Sequence, residues 1–134
     1  MPRKKKRDSV ATTGGFLAMP KLLMEHRDFR ELSPSALKVL MGLGSQYDGF
    51  NNGDLSATHS MMEDWGGMAK ATLAKSLREL QERQLIVKTR DNRYGREGAR
   101  CALFALAWLA IHDCPGKGLD TPPSIVARRK LSKA

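Results

Sequence analysis

The stretch "GGMAKATLAKSLRELQERQLI" at 66–86 constrains the fold more than any other part of the chain. Two glycines end whatever precedes them. Leu73, Leu77 and Leu80, at i, i+4 and i+7, then form a buried seam on one helix running from about residue 69 to 83. The seam leaves Ala71, Thr72 and Lys75, small or basic, pointing elsewhere near the helix start. "LIVKTR" (85–90) has strand character, "DNRYGREGA" (91–99) reads as a loop, and "RCALFAL" (100–106) returns as the second strand of a hairpin. A helix therefore feeds directly into an arginine-rich hairpin.

Upstream, "MPKLLMEHRDFREL" (19–32) is amphipathic, with Pro20 at a helix start and Leu23, Met24 and Phe29 inward. "SPSALKVLMGLGSQY" (33–47) opens with Ser33 as N-cap and Pro34 at the first helical position. Leu37, Leu40, Met41 and Tyr47 form its apolar stripe and Val39 and Leu43 widen it, which predicts a central, mostly buried helix. Gly42 and Gly44 weaken that helix by about 1 kcal/mol each against alanine, and close helix packing is the reason to expect them there. "DGFNNGD" (48–54) is turn chemistry, with Asp48 or Asn51 suited to left-handed positions. Leu55 fits a short strand. "SATHSMMEDW" (56–65) reads as a short helix with Ala57, Met61, Met62 and Trp65 inward.

A length of 134 residues suits one domain with a core of a few helices and a small sheet. The expected organisation is a disordered basic arm at 1–15, a domain at 16–113 and a flexible basic tail at 114–134. The longest apolar run, "ALFALAWLAI" (102–111), is too short to span a bilayer and fits strand or helix equally. The N-terminal residues lack the apolar region of a secretory signal, and Cys101 and Cys114 make no disulfide framework. These features predict a soluble protein of a reducing, bacterial cytoplasm, associated with the nucleoid. "PRKKKR" (2–7) resembles a nuclear localisation signal, which matters only in a eukaryotic host.

The net charge of +9 is unevenly spread. Residues 1–15 and 114–134 each carry five basic residues and one acid, a net of +4 apiece. Within the domain, 16–67 holds 4 basic and 7 acidic residues, whereas 68–100 holds 9 basic and 4 acidic. One contiguous third of the domain is basic. That segregation suits a protein presenting one face to a polyanion.

The order of short helix, glycine turn, longer helix and basic hairpin resembles the winged helix-turn-helix of many bacterial and phage DNA-binding proteins. Trp65-Gly66, Met68, Thr72-Leu73, Leu77 to Leu80 and Leu85-Ile86 carry the resemblance. "MPKLLMEHRDFRELSPSALKVLMGL" likewise resembles leading helices of replication or regulatory proteins of phages and mobile elements. Two positions depart from the pattern: Ala69 stands where a Ser or Thr N-cap is common, and Gln84 where a glycine is common.

The resemblance implies a mostly α fold with a small β-hairpin, its second helix entering the major groove of double-stranded DNA. Lys70, Ala71, Thr72, Lys75 and Arg78 would then meet bases or phosphates, with Glu79 and Glu82 where the helix leaves the groove. The hairpin offers Lys88, Arg90, Asn92, Arg93, Tyr94 and Arg96 to the backbone or a narrow minor groove. Arg3, Lys4, Lys5, Lys6 and Arg7 would add phosphate contacts without sequence choice. The expected role is a transcriptional regulator or origin-binding factor, acting as a homodimer with the first helix or 102–111, including Trp108, at its interface.

Rival readings remain open. Lys75 and Arg78 also suit a solvated helix face with Glu79 and Glu82 as i+4 partners. The same fold could be a protein-binding adapter, or its tails could drive nonspecific nucleic-acid binding. His26, His59 and His112 are scattered, and His112-x-Cys114 lacks the other ligands of a zinc site. With no phosphate loop, nucleophile elbow or paired carboxylates, no enzyme, cofactor, metal or small-molecule ligand is expected, and no membrane partner.

Overall fold

The helices and strands follow from where apolar side chains can be buried together. The structure is a computed structural model, described here for residues 14–95 and 98–131. It is a small mixed fold of short helices and antiparallel hairpin strands. Helices α1 (Lys21–Glu25), α2 (Arg27–Arg30) and α3 (Pro34–Gly44) come first, then a 3-10 turn at Met61–Trp65 and helix α4 (Lys70–Glu82). Strands β1 (Ile86–Arg90), β2 (Arg93–Gly95), β3 (Gly98–Arg100) and β4 (Leu103–Leu106) follow. No helix among the described residues is long and apolar enough to cross a membrane.

The expected single helix over 19–32 is two short ones. His26 adopts extended backbone (ψ 142°), and its Nδ1 accepts a hydrogen bond from the Asp28 amide, so it ends α1 and caps α2. Leu23 is buried, whereas Met24 is 45% exposed and not inward as expected. Helix α3 begins as its sequence predicts: the Ser33 hydroxyl accepts from the Ala36 amide and Pro34 opens the first turn. Ala36, Val39, Leu40 and Leu43 are its buried residues; Leu37 lies outside the stripe, exposed.

Gly42 and Gly44 sit at close approaches. A Cβ on Gly44 would stand 2.5 Å from Leu17 Cδ2, and one on Gly42 would stand 3.4 Å from Trp65 Nε1. In the 48–54 turn, Gly49 and Gly53 take the positive φ angles, rather than Asp48 or Asn51. The two polar residues instead brace the turn, Asp48 accepting from the Phe50 amide and Asn51 from the Asp48 amide. The 56–65 helix is reduced to the 3-10 turn, in which Met62 is buried and Met61, expected inward, is 36% exposed.

Leu55 pairs with Phe104, and β4 pairs with β1 in the register Ile86↔Leu106, Val87↔Ala105, Lys88↔Phe104. The order across this small sheet is therefore Leu55, β4, β1. The register slips between Lys88 and Arg90, and beyond that bulge the expected loop of 91–99 continues as the β2–β3 ribbon, with Tyr94 opposite Ala99. Helix α4 packs on α3, and Leu73 and Leu80 join Leu40, Leu43, Leu55, Met62, Phe104 and Leu106 in one core. In the ambiguous run 102–111, β4 is buried along its whole length and a turn follows. Trp108 is only 6% exposed and belongs to the core of this chain, which removes it as a surface for a second copy.

Residues 114–131, expected to be a flexible tail, lie back against the body. Ile111 and Ser124 pair through both backbone groups, and the Asp120 and Thr121 amides donate to the Thr89 carbonyl on the outer edge of β1. Farther on, Arg129 donates to Asp28 Oδ2 (2.8 Å) and to the Arg83 carbonyl (2.9 Å), and its amide donates to the Ala107 carbonyl. Small basic tails stay free unless backbone and charge find partners. Here both do.

Candidate functional site

Helix α4 buries Leu73, Ser76 and Leu80, so a 3.6-residue period aims the opposite arc at solvent. Ala71, Ala74, Lys75, Arg78 and Glu82 occupy that arc and are exposed. Lys70, Ala74, Arg78 and Gln81 form one edge of it and face the hairpin across an open groove of about 740 Å³. The far wall carries Lys88, Asn92, Tyr94 and Cys101, and Leu77 and Phe104 help form the floor. Among the described residues, no carboxylate lines the groove.

The side chains around it are positioned individually. Lys88 pairs with Asp91 at 2.9 Å. The Asn92 Oδ1 accepts from the Ala102 amide at 3.0 Å, which fixes the direction of its amide. Tyr94 is 83% exposed on β2. At the amino end of α4, Ala69 is the N-cap in extended backbone (ψ 149°), and no side chain caps this end among the described residues. The first-turn amides and the positive end of the helix dipole are thus presented together.

Several expected contacts have other positions. Thr72 is half-buried on the flank it shares with Glu79, toward α3, and Ala71 and Lys75 are exposed without lining the groove. Arg90 is buried, 6% exposed, with its guanidinium donating to the Cys101 carbonyl at 2.6 Å and the Lys117 carbonyl at 2.7 Å. It holds strands and tail together and is not presented to a ligand. Arg93 leaves the groove for the opposite face, where Asp120 Oδ1 accepts its hydrogen bond at 2.6 Å. Arg96 and the arm residues Arg3, Lys4, Lys5, Lys6 and Arg7 lie outside the described residues.

Sequence reasoning missed Gln81 and Ala74. The i, i+4, i+8 and i+11 spacing from Lys70 through Ala74 and Arg78 to Gln81 was the available signal, once the hairpin's side of the helix was known. Cys114 is apart from the groove; burial, with Asp54 beside it, pushes its thiol up, away from the reactive thiolate. No group of three or more His, Cys, Asp or Glu side chains able to hold a metal occurs among the described residues. Comparison with protein-family models, with curated proteins and with solved structures finds no match.

Proposed function

We propose that this chain is a winged helix-turn-helix protein that binds double-stranded DNA. Helix α4 enters the major groove and the β2–β3 ribbon lies against the backbone or minor groove. The observation carrying the reading is the groove, lined by no carboxylate among the described residues, that sets Lys70, Arg78 and Gln81 of α4 opposite Lys88, Asn92 and Tyr94 of the hairpin. Cations with no lining carboxylate favour a polyanion, and the amides add donors and acceptors able to read base edges.

The element order supports the same reading: α3, the Leu55 pairing, the 3-10 turn, α4, then β1 and β4 with the β2–β3 ribbon between them. So does the uncapped amino end of α4, whose amides suit a phosphate oxygen. Within this reading the protein regulates transcription or marks an origin for a phage or mobile element, and acts as a homodimer on a two-fold site.

In vitro selection from random duplex DNA, with the whole chain at about 150 mM salt where the Debye length is about 8 Å, tests the reading. A defined motif should be enriched, and a palindromic one would support the dimer. K70A and R78A should each weaken binding to that motif about tenfold or more, within the 1–3 kcal/mol assigned to a base contact. Failure to enrich any motif, with binding lost as salt rises, would overturn sequence-specific reading by α4.

A further inference from the structure

Gln84 is the one non-glycine residue with positive φ (58°) among the described residues. It stands just after α4, where Leu85 donates its amide back to the Leu80 carbonyl, the position that helix ends usually give to glycine. Glycine would carry no side-chain penalty there, so a retained glutamine asks what its amide does.

The side chain borders a second open groove, of about 450 Å³. Gln81, Gln84, Lys88, Arg128 and Arg129 supply its polar lining, and again no carboxylate among the described residues lines it. Gln81 and Lys88 also line the first groove, so the two form one track around the end of α4. Arg128 is not on a loose tail. Its neighbour Arg129 is bound to Asp28 and to the Arg83 carbonyl, and also donates to the Gln84 carbonyl at 3.4 Å. The same anchor therefore fixes the backbone on both sides of the groove.

We infer that this second groove is a phosphate-backbone subsite for the same DNA. Arg128 takes a phosphate oxygen, Lys88 takes another in exchange for Asp91, and the Gln84 amide donates to a phosphate or sugar oxygen of the same strand. Arg128, together with Lys88 once a phosphate displaces its partner Asp91, brings positive charge to a channel lined by no carboxylate among the described residues, which favours a phosphodiester. Primary amides add hydrogen bonds that position without selecting sequence. The inference rests on the DNA-binding reading and extends its footprint past the recognition helix.

Salt-dependent fluorescence anisotropy of the whole protein with a labelled duplex tests it. R128A should weaken binding roughly 3- to 10-fold and reduce the slope of log affinity against log salt by about 0.9, the value of one lost phosphate contact. Q84G should bind several-fold more weakly while its Tm stays equal or rises, because glycine relieves the left-handed backbone. A residue kept only to end the helix would not give those opposite signs. If both variants bind as tightly as the parent, with the same salt slope, the second groove carries no strand and the inference falls while the DNA reading stands. If the parent itself does not bind duplex DNA at low salt, the DNA reading falls first and takes the subsite with it.

Discussion

The Glu79 carboxylate of α4 caps α3. Its Oε2 accepts from the Ser33 amide and its Oε1 from the Ser33 hydroxyl, both at 2.8 Å, while that hydroxyl accepts from the Ala36 amide. The acid that periodicity placed on the outer arc of α4 is committed instead to clamping two helices. E79A should destabilise the protein by about 2 kcal/mol, as both Ser33 donors lose a charged acceptor at a half-buried site. E79Q should cost less, since one oxygen still accepts. Urea denaturation with an unchanged m-value is the measurement, and an E79A midpoint matching the parent would refute the clamp.

The sequence pattern made the helix–hairpin core legible because each element there is decided locally. Leucine spacing defines α4, Ser33-Pro34 starts α3, and Gly66-Gly67 with φ of 91° and 77° stops the 3-10 turn. What escaped depends on partners distant in sequence. The basic tail looks loose until Arg129 meets Asp28, a separation of 101 residues. Arg90 looks like a ligand contact until the Cys101 and Lys117 carbonyls close on it. Arg93 and Tyr94 are adjacent in a strand, so they face opposite sides, and only the fold says which side holds the groove. Lys70 and Arg78 were named from the sequence; Gln81 and Arg128 needed the structure.

Arg93 is held by Asp120, with Gly118 packed so closely that a Cβ there would stand 2.8 Å from Arg93 Nη1. Under the DNA reading, the carboxylate occupies the guanidinium that a phosphate would otherwise take. R93A alone should therefore change duplex affinity by less than about 2-fold, small against a tenfold step of 1.4 kcal/mol. D120N should tighten binding and steepen the salt slope by about 0.9, one added phosphate contact. The gain should vanish in the D120N/R93A double variant. A D120N protein with parental affinity and slope would mean that Arg93 does not reach DNA even when released.

Asp28 links the amino-terminal helices to the carboxy-terminal segment. Burial by itself raises its pKa, but hydrogen bonds from Arg129 and Arg83, and the charges of Arg129 and His26, outweigh burial and hold it below the ordinary carboxylate value. A carboxyl lowered in the folded state contributes stability that is complete above its unfolded value, about 3.9, and is lost as pH falls through its folded value. D28N should thus cost about 1–2 kcal/mol at pH 7, and the difference from the parent should shrink as pH drops below about 4. Urea midpoints of both proteins across pH 2 to 7 would show this; a penalty independent of pH would contradict an ionised Asp28 at the latch.

Arg90 separates a structural cation from a contacting one. Its guanidinium is buried between the Cys101 carbonyl of the hairpin and the Lys117 carbonyl of the tail, so removing it takes the donor from two part-buried acceptors and unties hairpin from tail. R90M keeps much of the volume and should still cost about 2–3 kcal/mol. Under the DNA reading, any loss of DNA binding by R90M should be accounted for by its unfolded fraction. At a temperature where the variant is folded, its affinity should return to within about 2-fold of the parent, because the side chain is buried and does not line the groove. R78A should behave oppositely, keeping the parental Tm and losing affinity, since Arg78 is exposed on the groove wall. Measuring Tm and affinity for both variants at one salt concentration distinguishes the two roles. A folded R90M that binds tenfold more weakly would return Arg90 to the interface.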